Sequence, residues 1–141
     1  MNEEHKKLLQ TAAEAAGLAY APYSRFRVGA AVLTPGGVFV GANIETASTN
    51  LGICAERAAF THARMRGQTE IIGLAVCCPD AEKNETGWVD EYSAMPCGAC
   101  RQWLAELAPD AWVVTSSSEK VYRLDDLLPC AFKLQVKAHK K

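Results

Sequence analysis

The stretch Leu51-Gly52-Ile53-Cys54-Ala55-Glu56-Arg57-Ala58-Ala59-Phe60 decides how this chain is read, once it is joined to Met95-Pro96-Cys97-Gly98-Ala99-Cys100-Arg101-Gln102. The first supplies one cysteine and, two residues on, one carboxylate. The second supplies two cysteines at C-x-x-C spacing. Three thiolates can hold a metal ion and leave one position open for water. A carboxylate that does not bind the metal can then move that water's proton. This is the layout of a hydrolytic zinc site.

Outward from these two stretches, the chain alternates helix and strand signals. Leu8, Leu9, Ala12, Ala15 and Ala16 recur at helical spacing over 4–17, and Gly17 is a stop. Pro22 makes 21–27 a connection. Val28–Leu33 and Val38–Ala42 flank Pro35-Gly36-Gly37 and read as a β-hairpin. At its end, period-two geometry puts Asn43 and Glu45 on one side. Small polar residues make 46–52 a loop. Helical character runs from Cys54 to about Arg66. Ile71–Cys78 is a continuous apolar run, hence a buried strand. Residues 79–95 form a long, polar, irregular loop, and such loops are often functional. A helix follows from Gly98 to about Leu107, then a strand over Ala111–Thr115 and a helical turn within 124–132. With no repeat and no second hydrophobic unit, 1–141 reads as one domain, an α/β layered sandwich with a mixed sheet.

Bulk properties exclude several classes. The 141 residues include 15 basic and 16 acidic side chains, a formal net charge of −1. No broad positive field exists for a nucleic acid. The one cationic cluster, Lys133, Lys137, His139, Lys140 and Lys141, reads as a solvated terminus. No targeting signal or membrane-length apolar run occurs, so a cytoplasmic protein is expected. In that compartment C-x-x-C points to metal or redox chemistry rather than disulfides.

Cys54, Cys97 and Cys100 each fall at or near a predicted helix start, where the positive end of the helix dipole favours thiolates. Three thiolates leave a zinc site with excess negative charge. Arg57 or Arg101 can offset it by donating to sulfur, and Arg57, next to the carboxylate, is favoured. Glu56 then serves as the proton carrier. C-x-x-C alone is a weak signal. Cys54-x-Glu56 followed by Pro96-Cys97-x-x-Cys100, with strand and helix between, is the zinc-deaminase signature in its three-cysteine form.

At these residues the chain resembles the small, homotetrameric, zinc-dependent cytidine deaminases. The resemblance spans nearly the whole chain. It rests on Ala21-Pro22-Tyr23-Ser24-x-Phe26-x-Val28-Gly29-Ala30-Ala31, Gly41-x-Asn43-Ile44-Glu45, the two cysteine stretches, and Leu127-Leu128-Pro129-x-Ala131-Phe132. It implies a three-layer α/β/α sandwich with a mixed five-stranded sheet. It implies one zinc ion per subunit on Cys54, Cys97 and Cys100, with Glu56 as proton shuttle. Asn43 and Glu45 would bond the ribose hydroxyls, Phe26 would pack against the nucleoside, and the Ala55 backbone would read the pyrimidine edge. Phe132 would stack in a neighbouring subunit's site. The implied reaction converts cytidine or deoxycytidine and water to uridine or deoxyuridine and ammonia.

The chain departs from the family pattern at Thr49, where a tyrosine is usual, at Met95, where a small polar residue is common, and in the longer 79–95 loop with Trp88 and Tyr92. These sites leave open a substrate with a substituted N4 or a cytosine nucleoside antibiotic. A polynucleotide deaminase would need a basic groove, and a non-catalytic zinc module would not need Glu56. Other residues have plainer readings. Cys77 and Cys78 read as buried thiols, His62 as solvated or packed, His5 and His139 as solvated, and Trp103 and Trp112 as core or subunit interface. Cys130, where the family has glycine, carries no assigned function.

Overall fold

The computed structural model describes residues 1–136. Four of the five cations expected in the tail, Lys137, His139, Lys140 and Lys141, lie outside them.

The first helix, α1 (Glu3–Ala15), begins on a reciprocal cap. Asn2 Oδ1 accepts from His5 N at 2.9 Å, and Asn2 N donates to His5 Nδ1 at 3.1 Å. Such pairs satisfy first-turn N–H groups that the helix itself cannot. His5 is therefore a cap, and its ring stands edge-on to Trp112 at 4.3 Å. Leu8, Ala12 and Ala15 form the buried face. Strands β1 (Gly29–Thr34) and β2 (Gly37–Ala42) make the expected hairpin, turning at Pro35-Gly36. Helix α2 (Ala55–Met65), strand β3 (Gly73–Cys77), helix α3 (Gly98–Leu107), strand β4 (Trp112–Thr115) and the single turn α4 (Leu124–Leu127) follow.

The sheet order is β2-β1-β3-β4, with β1 antiparallel to both neighbours and β3 parallel to β4. Period-two alternation divides its side chains between two cores. Ala31, Ala75, Cys77, Trp112 and Val114 face α1, with Leu8 and Ala12. Ala30, Val32, Leu74, Val76 and Val113 face the other way, against Ala59, Phe60 and Leu104 from α2 and α3. The molecule thus has α1 on one face and α2 and α3 on the other. Burying Phe60 alone contributes roughly 1.5–3 kcal/mol.

Two glycines allow the close approach. A Cβ on Gly29 would lie 1.9 Å from Ala12 O, and one on Gly41 would lie 2.4 Å from Ala59 N. The backbone of α1 therefore rests on β1, and that of α2 on β2.

The five-stranded expectation needs correction, because among the described residues the sheet has four strands. The segment after β4 does return. Tyr122 N donates to Val113 O and Val113 N to Tyr122 O, both at 2.8 Å. That single bridge is all the segment makes before α4 opens at Leu124, two residues on. A strand needs several consecutive pairs.

The 79–95 loop is more ordered than its composition suggests. Asn84 Oδ1 accepts from Thr86 N and Trp88 N, forming a tight turn closed by Gly87 at φ 87°. Asp90 caps a 3-10 turn at Glu91–Ala94. Val89 and Ala94 are buried in the α2-side core. No helix among the described residues is long and apolar enough to cross a membrane.

Candidate active site and metal centre

The end of β2 is held between two other segments. Tyr20 N donates to Asn43 O at 2.9 Å, and Glu45 N to Tyr20 O at 2.8 Å. On the other side, Ile44 and Ile53 exchange bonds of 3.1 and 2.9 Å. Cys54 is the next residue, so the segment carrying Asn43 and Glu45 is locked beside the start of α2. Helix α3 brings Cys97 and Cys100 to the same place.

Cys54 and Cys97 occupy the N-cap positions of α2 and α3, and neither side chain makes a capping bond. Serine or aspartate would normally spend its side chain on the helix there. These sulfurs are instead turned toward one another. Cys54 Sγ lies 3.7 Å from Cys97 Sγ, which lies 3.5 Å from Cys100 Sγ. All three sulfurs fall within 4.8 Å of one another. Thiolates on tetrahedral zinc at ~2.3 Å stand about 3.8 Å apart, so the trio matches that ion.

Electrostatics point the same way. A hydrogen bond from Cys100 holds the Cys54 thiol down to about 5, with further help from Arg57. Its own bond to Cys54, together with burial, pushes Cys100 strongly up. Three sulfurs this close cannot all ionise without a cation between them. The donor set therefore fits a divalent, thiophilic metal such as zinc.

Arg57 Nη2 donates to Cys54 Sγ at 3.4 Å. Arg101 is turned away, with Nε donating to Pro96 O at 2.8 Å and Nη1 to Leu127 O at 2.6 Å. Of the two candidate arginines, only Arg57 makes a bond to a ligand sulfur, while Arg101 ties α3 to the chain before it and to α4.

Glu56 lies in the first turn of α2 and is 5% exposed. Burial raises its carboxyl to about 7, and the neighbouring Cys54 thiolate adds to the rise. A carboxyl near neutrality both takes and gives a proton readily.

A cavity of about 560 Å³ opens above this corner. Asn43, Glu45, Cys54, Ala55, Glu56, Arg57 and Cys97 line it, with Thr49 and Met95 at its sides. Asn43 Oδ1 accepts from Val28 N at 2.8 Å, and its Nδ2 donates to Phe26 O at 2.9 Å. One donor hydrogen and one lone pair of the amide remain for a ligand. The Ser24 hydroxyl donates to Glu45 Oε2, and Ser24 N and Tyr23 N donate to Oε1 at 3.1 and 3.2 Å, bonds that in that order hold its carboxyl below the usual range. Both side chains shape the 21–28 connection as well as facing the cavity.

Two expected contacts are not made within one chain. Phe26 packs against the α2-side core and does not line the cavity. Phe132 is 61% exposed and also lies outside it. In the 79–95 loop only Ser93 and Met95 reach the cavity. Trp88 instead lines a groove against α1, and Tyr92 is 83% exposed. The sequence reading missed Tyr23, Ser24 and Cys78 as wall residues. The first two were legible in Pro22-Tyr23-Ser24, where a proline-fixed turn sits just before β1. Cys78 follows directly on a buried strand, and nothing in its neighbours distinguishes a wall thiol from a core one.

Comparison with known proteins agrees with this geometry. The family model described as the cytidine and deoxycytidylate deaminase zinc-binding region matches residues 2–116. The cytidine deaminase of Halalkalibacterium halodurans is 40% identical over 134 residues, covering 92% of this chain and 94% of that protein. The cytidine deaminase of Mycobacterium tuberculosis is 40% identical over 124 residues, covering 87% and 85%. The crystal structure of cytidine deaminase from Burkholderia pseudomallei superposes with a TM-score of 0.76 at 40% identity, covering 94% of this chain and all of that one. A family match over that length, with relatives this similar along most of the sequence, makes this chain a member of the cytidine and deoxycytidylate deaminase family.

Proposed function

We propose that this chain catalyses the hydrolytic deamination of cytidine and deoxycytidine to uridine, deoxyuridine and ammonia. One observation carries the reading: three converging sulfurs and the buried carboxyl of Glu56 share one cavity with Asn43 and Glu45. Cys54, Cys97 and Cys100 would hold zinc, which when bound supplies Lewis-acid activation of a water molecule.

The chain's own residues then divide the work. Asn43 and Glu45 bind the sugar, since an amide both donates and accepts while a carboxylate accepts. The Ala55 backbone, at the open start of α2, reads the pyrimidine edge. Glu56 accepts the proton released as water oxygen bonds to C4. It passes that proton to N3, then takes the proton of the new C4 hydroxyl and delivers it to the departing amine, as the C4–N4 bond breaks and the C4 carbonyl forms. Arg57 draws negative charge away from the sulfurs and so preserves the pull on the water.

The chain acts as one domain over 1–141 and assembles as a homotetramer with shared sites. The exposed Phe132, absent from its own cavity, supports that assembly, as do the exposed Leu18, Leu51 and Met65. Phe132 would stack in the neighbour's cavity, and Phe26 would back the nucleoside's wall from behind. Reliance on reduced thiols, six of which are free here, supports a cytoplasmic location. Thr49 and Met95 in the cavity wall make the rim the place where N4 substituents would be accepted or refused.

A turnover panel with zinc content measured on the same sample tests these readings. Loss of the cytosine absorbance with cytidine and deoxycytidine is expected. Turnover of N4-acylcytidine or a cytosine antibiotic in place of both would move the substrate assignment outward to the rim. Light scattering tests the tetramer, and a monomer at micromolar concentration would remove it.

A further inference from the structure

The 21–28 connection forms one wall of the cavity, through Tyr23, Ser24 and Val28. On the cavity side Asn43 and Glu45 hold it, and these are the two side chains assigned to the sugar. Its middle is strained. Arg25 has φ 57°, a left-handed conformation that crowds a residue with a Cβ. A strained wall tied only to ligand-binding groups would shift whenever those groups engaged a sugar.

A third anchor lies outside the cavity. Asp80 Oδ2 accepts from both Arg27 N and Arg27 Nε at 2.9 Å, and Oδ1 accepts from Nη2 at 2.7 Å. Exposed ion pairs are usually worth little. This one differs in being bidentate and in fixing a backbone N–H as well. Its partner hydrogen bonds hold the Asp80 carboxyl down to about 2, so the pair stays charged throughout any working pH. Asp80 stands two residues after Cys78, which lines the cavity from the end of β3. Neither Arg27 nor Asp80 lines the cavity itself.

We infer that Arg27 and Asp80 are positioning residues, a pin that joins the sugar-side wall to the end of β3 and sets the spacing between the Asn43–Glu45 sugar reader and the metal corner. This rests on the deaminase reading above. When Asn43 and Glu45 turn some of their capacity to a ligand, the pin keeps the wall in register without them.

The test uses the full-length zinc-loaded protein with Asp80→Asn, Arg27→Gln and the double substitution. For cytidine, KM is expected to rise about tenfold in each variant with kcat changed less than about twofold, since misplacing a binding wall weakens ground-state and transition-state binding alike. The rise should be smaller for 2′,3′-dideoxycytidine, which lacks the hydroxyls that the wall serves. The double variant should be no worse than Asp80→Asn, because both remove one coupling. Hydrogen exchange at the amides of Tyr23–Val28 reads the same wall without substrate, and should be faster in all three variants with zinc content unchanged. Unaltered exchange at those amides would overturn the pin, whatever the protein turns over. So would accelerated exchange with unchanged KM for cytidine. Failure of the parent protein to deaminate cytidine would instead sink the deaminase reading, and the exchange result would still decide the pin.

Discussion

Two sets of thiols lie close together in this protein, and Cys54 of one set behaves oppositely to Cys78 of the other. Cys54, Cys97 and Cys100 come from two helix starts, and Cys54 is held down to about 5 by Cys100 and Arg57. Cys77 and Cys78 are neighbours in sequence at the end of β3, and burial pushes Cys78 up to about 12. Adjacency in the chain did not make a metal pair, because Cys77, the last residue of β3, and Cys78, just past it, turn to opposite faces of the sheet. Cys77 sits in the α1-side core and Cys78 in the α2-side core. Separation by 43 residues did not prevent one, because α2 and α3 both start at the same corner. What sets the three candidate ligands apart is a place in the first turn of a helix and a second sulfur within reach, with a guanidinium beside Cys54.

The sharpest way to break this comparison is to remove one thiol from each set. Cys97→Ala should empty the site of zinc and lower turnover by more than about 10³-fold, whereas Cys77→Ala should leave zinc content and kcat unchanged. Zinc retained in the first variant, or lost in the second, would end the distinction. Next comes Glu56→Gln, which keeps all three sulfurs. It should hold full zinc while turnover falls by about 10²–10⁴-fold, and a smaller loss would mean that the carboxyl is not the proton carrier.

Alkylation of chelator-treated protein at pH 7 compares the two environments directly. This pH lies above the Cys54 value of about 5 and far below the Cys78 value of about 12. Cys54 should therefore be mostly thiolate and react at least ~10-fold faster than Cys78, which stays protonated. Equal rates, mapped by peptide mass, would show that the Cys100 bond and Arg57 do not hold Cys54 down.

The smallest expected effect concerns a third kind of thiol. Cys130 is exposed and has φ 55°, a left-handed conformation suited to glycine. Its replacement of the glycine in Leu-Leu-Pro-Gly-Ala-Phe thus carries a conformational cost. Cys130→Gly removes the Cβ penalty but frees the unfolded chain, so a net gain of about 0.5–1 kcal/mol in unfolding free energy is expected. A loss on denaturation would mean that the thiol makes a contact worth more than the strain.

Local chemistry was legible where it was local. The helix starts at Cys54 and Cys97, the hairpin turning at Pro35-Gly36 and the single-sided placement of Asn43 and Glu45 all follow from spacing within a few residues. Less was legible where long-range packing decided. Phe26 was expected against the nucleoside from family likeness, and the tertiary fold turned it to the core. The polar 79–95 loop hid three buried anchors, Ala81, Val89 and Ala94, because single apolar residues carry no period. His5 looked solvated because its cap partner, Asn2, precedes the periodic region. The fifth strand was expected from family likeness alone, and only one bridge, Val113 with Tyr122, stands in its place.

By itself, then, the sequence determined which atoms the site could use: three sulfurs, one carboxyl without a metal to bind, and an arginine on either helix. Residue identity and short-range spacing settle those choices. Only the tertiary structure decided that the sulfurs stand 3.5 and 3.7 Å apart in sequence along the trio, and that Arg57 rather than Arg101 reaches one of them. It decided as well that Arg27 meets Asp80 across 53 residues of chain. Those distances depend on how closely α2 settles on β2 at Gly41 and where β3 ends. They are set by the packing of whole elements, which no local pattern encodes.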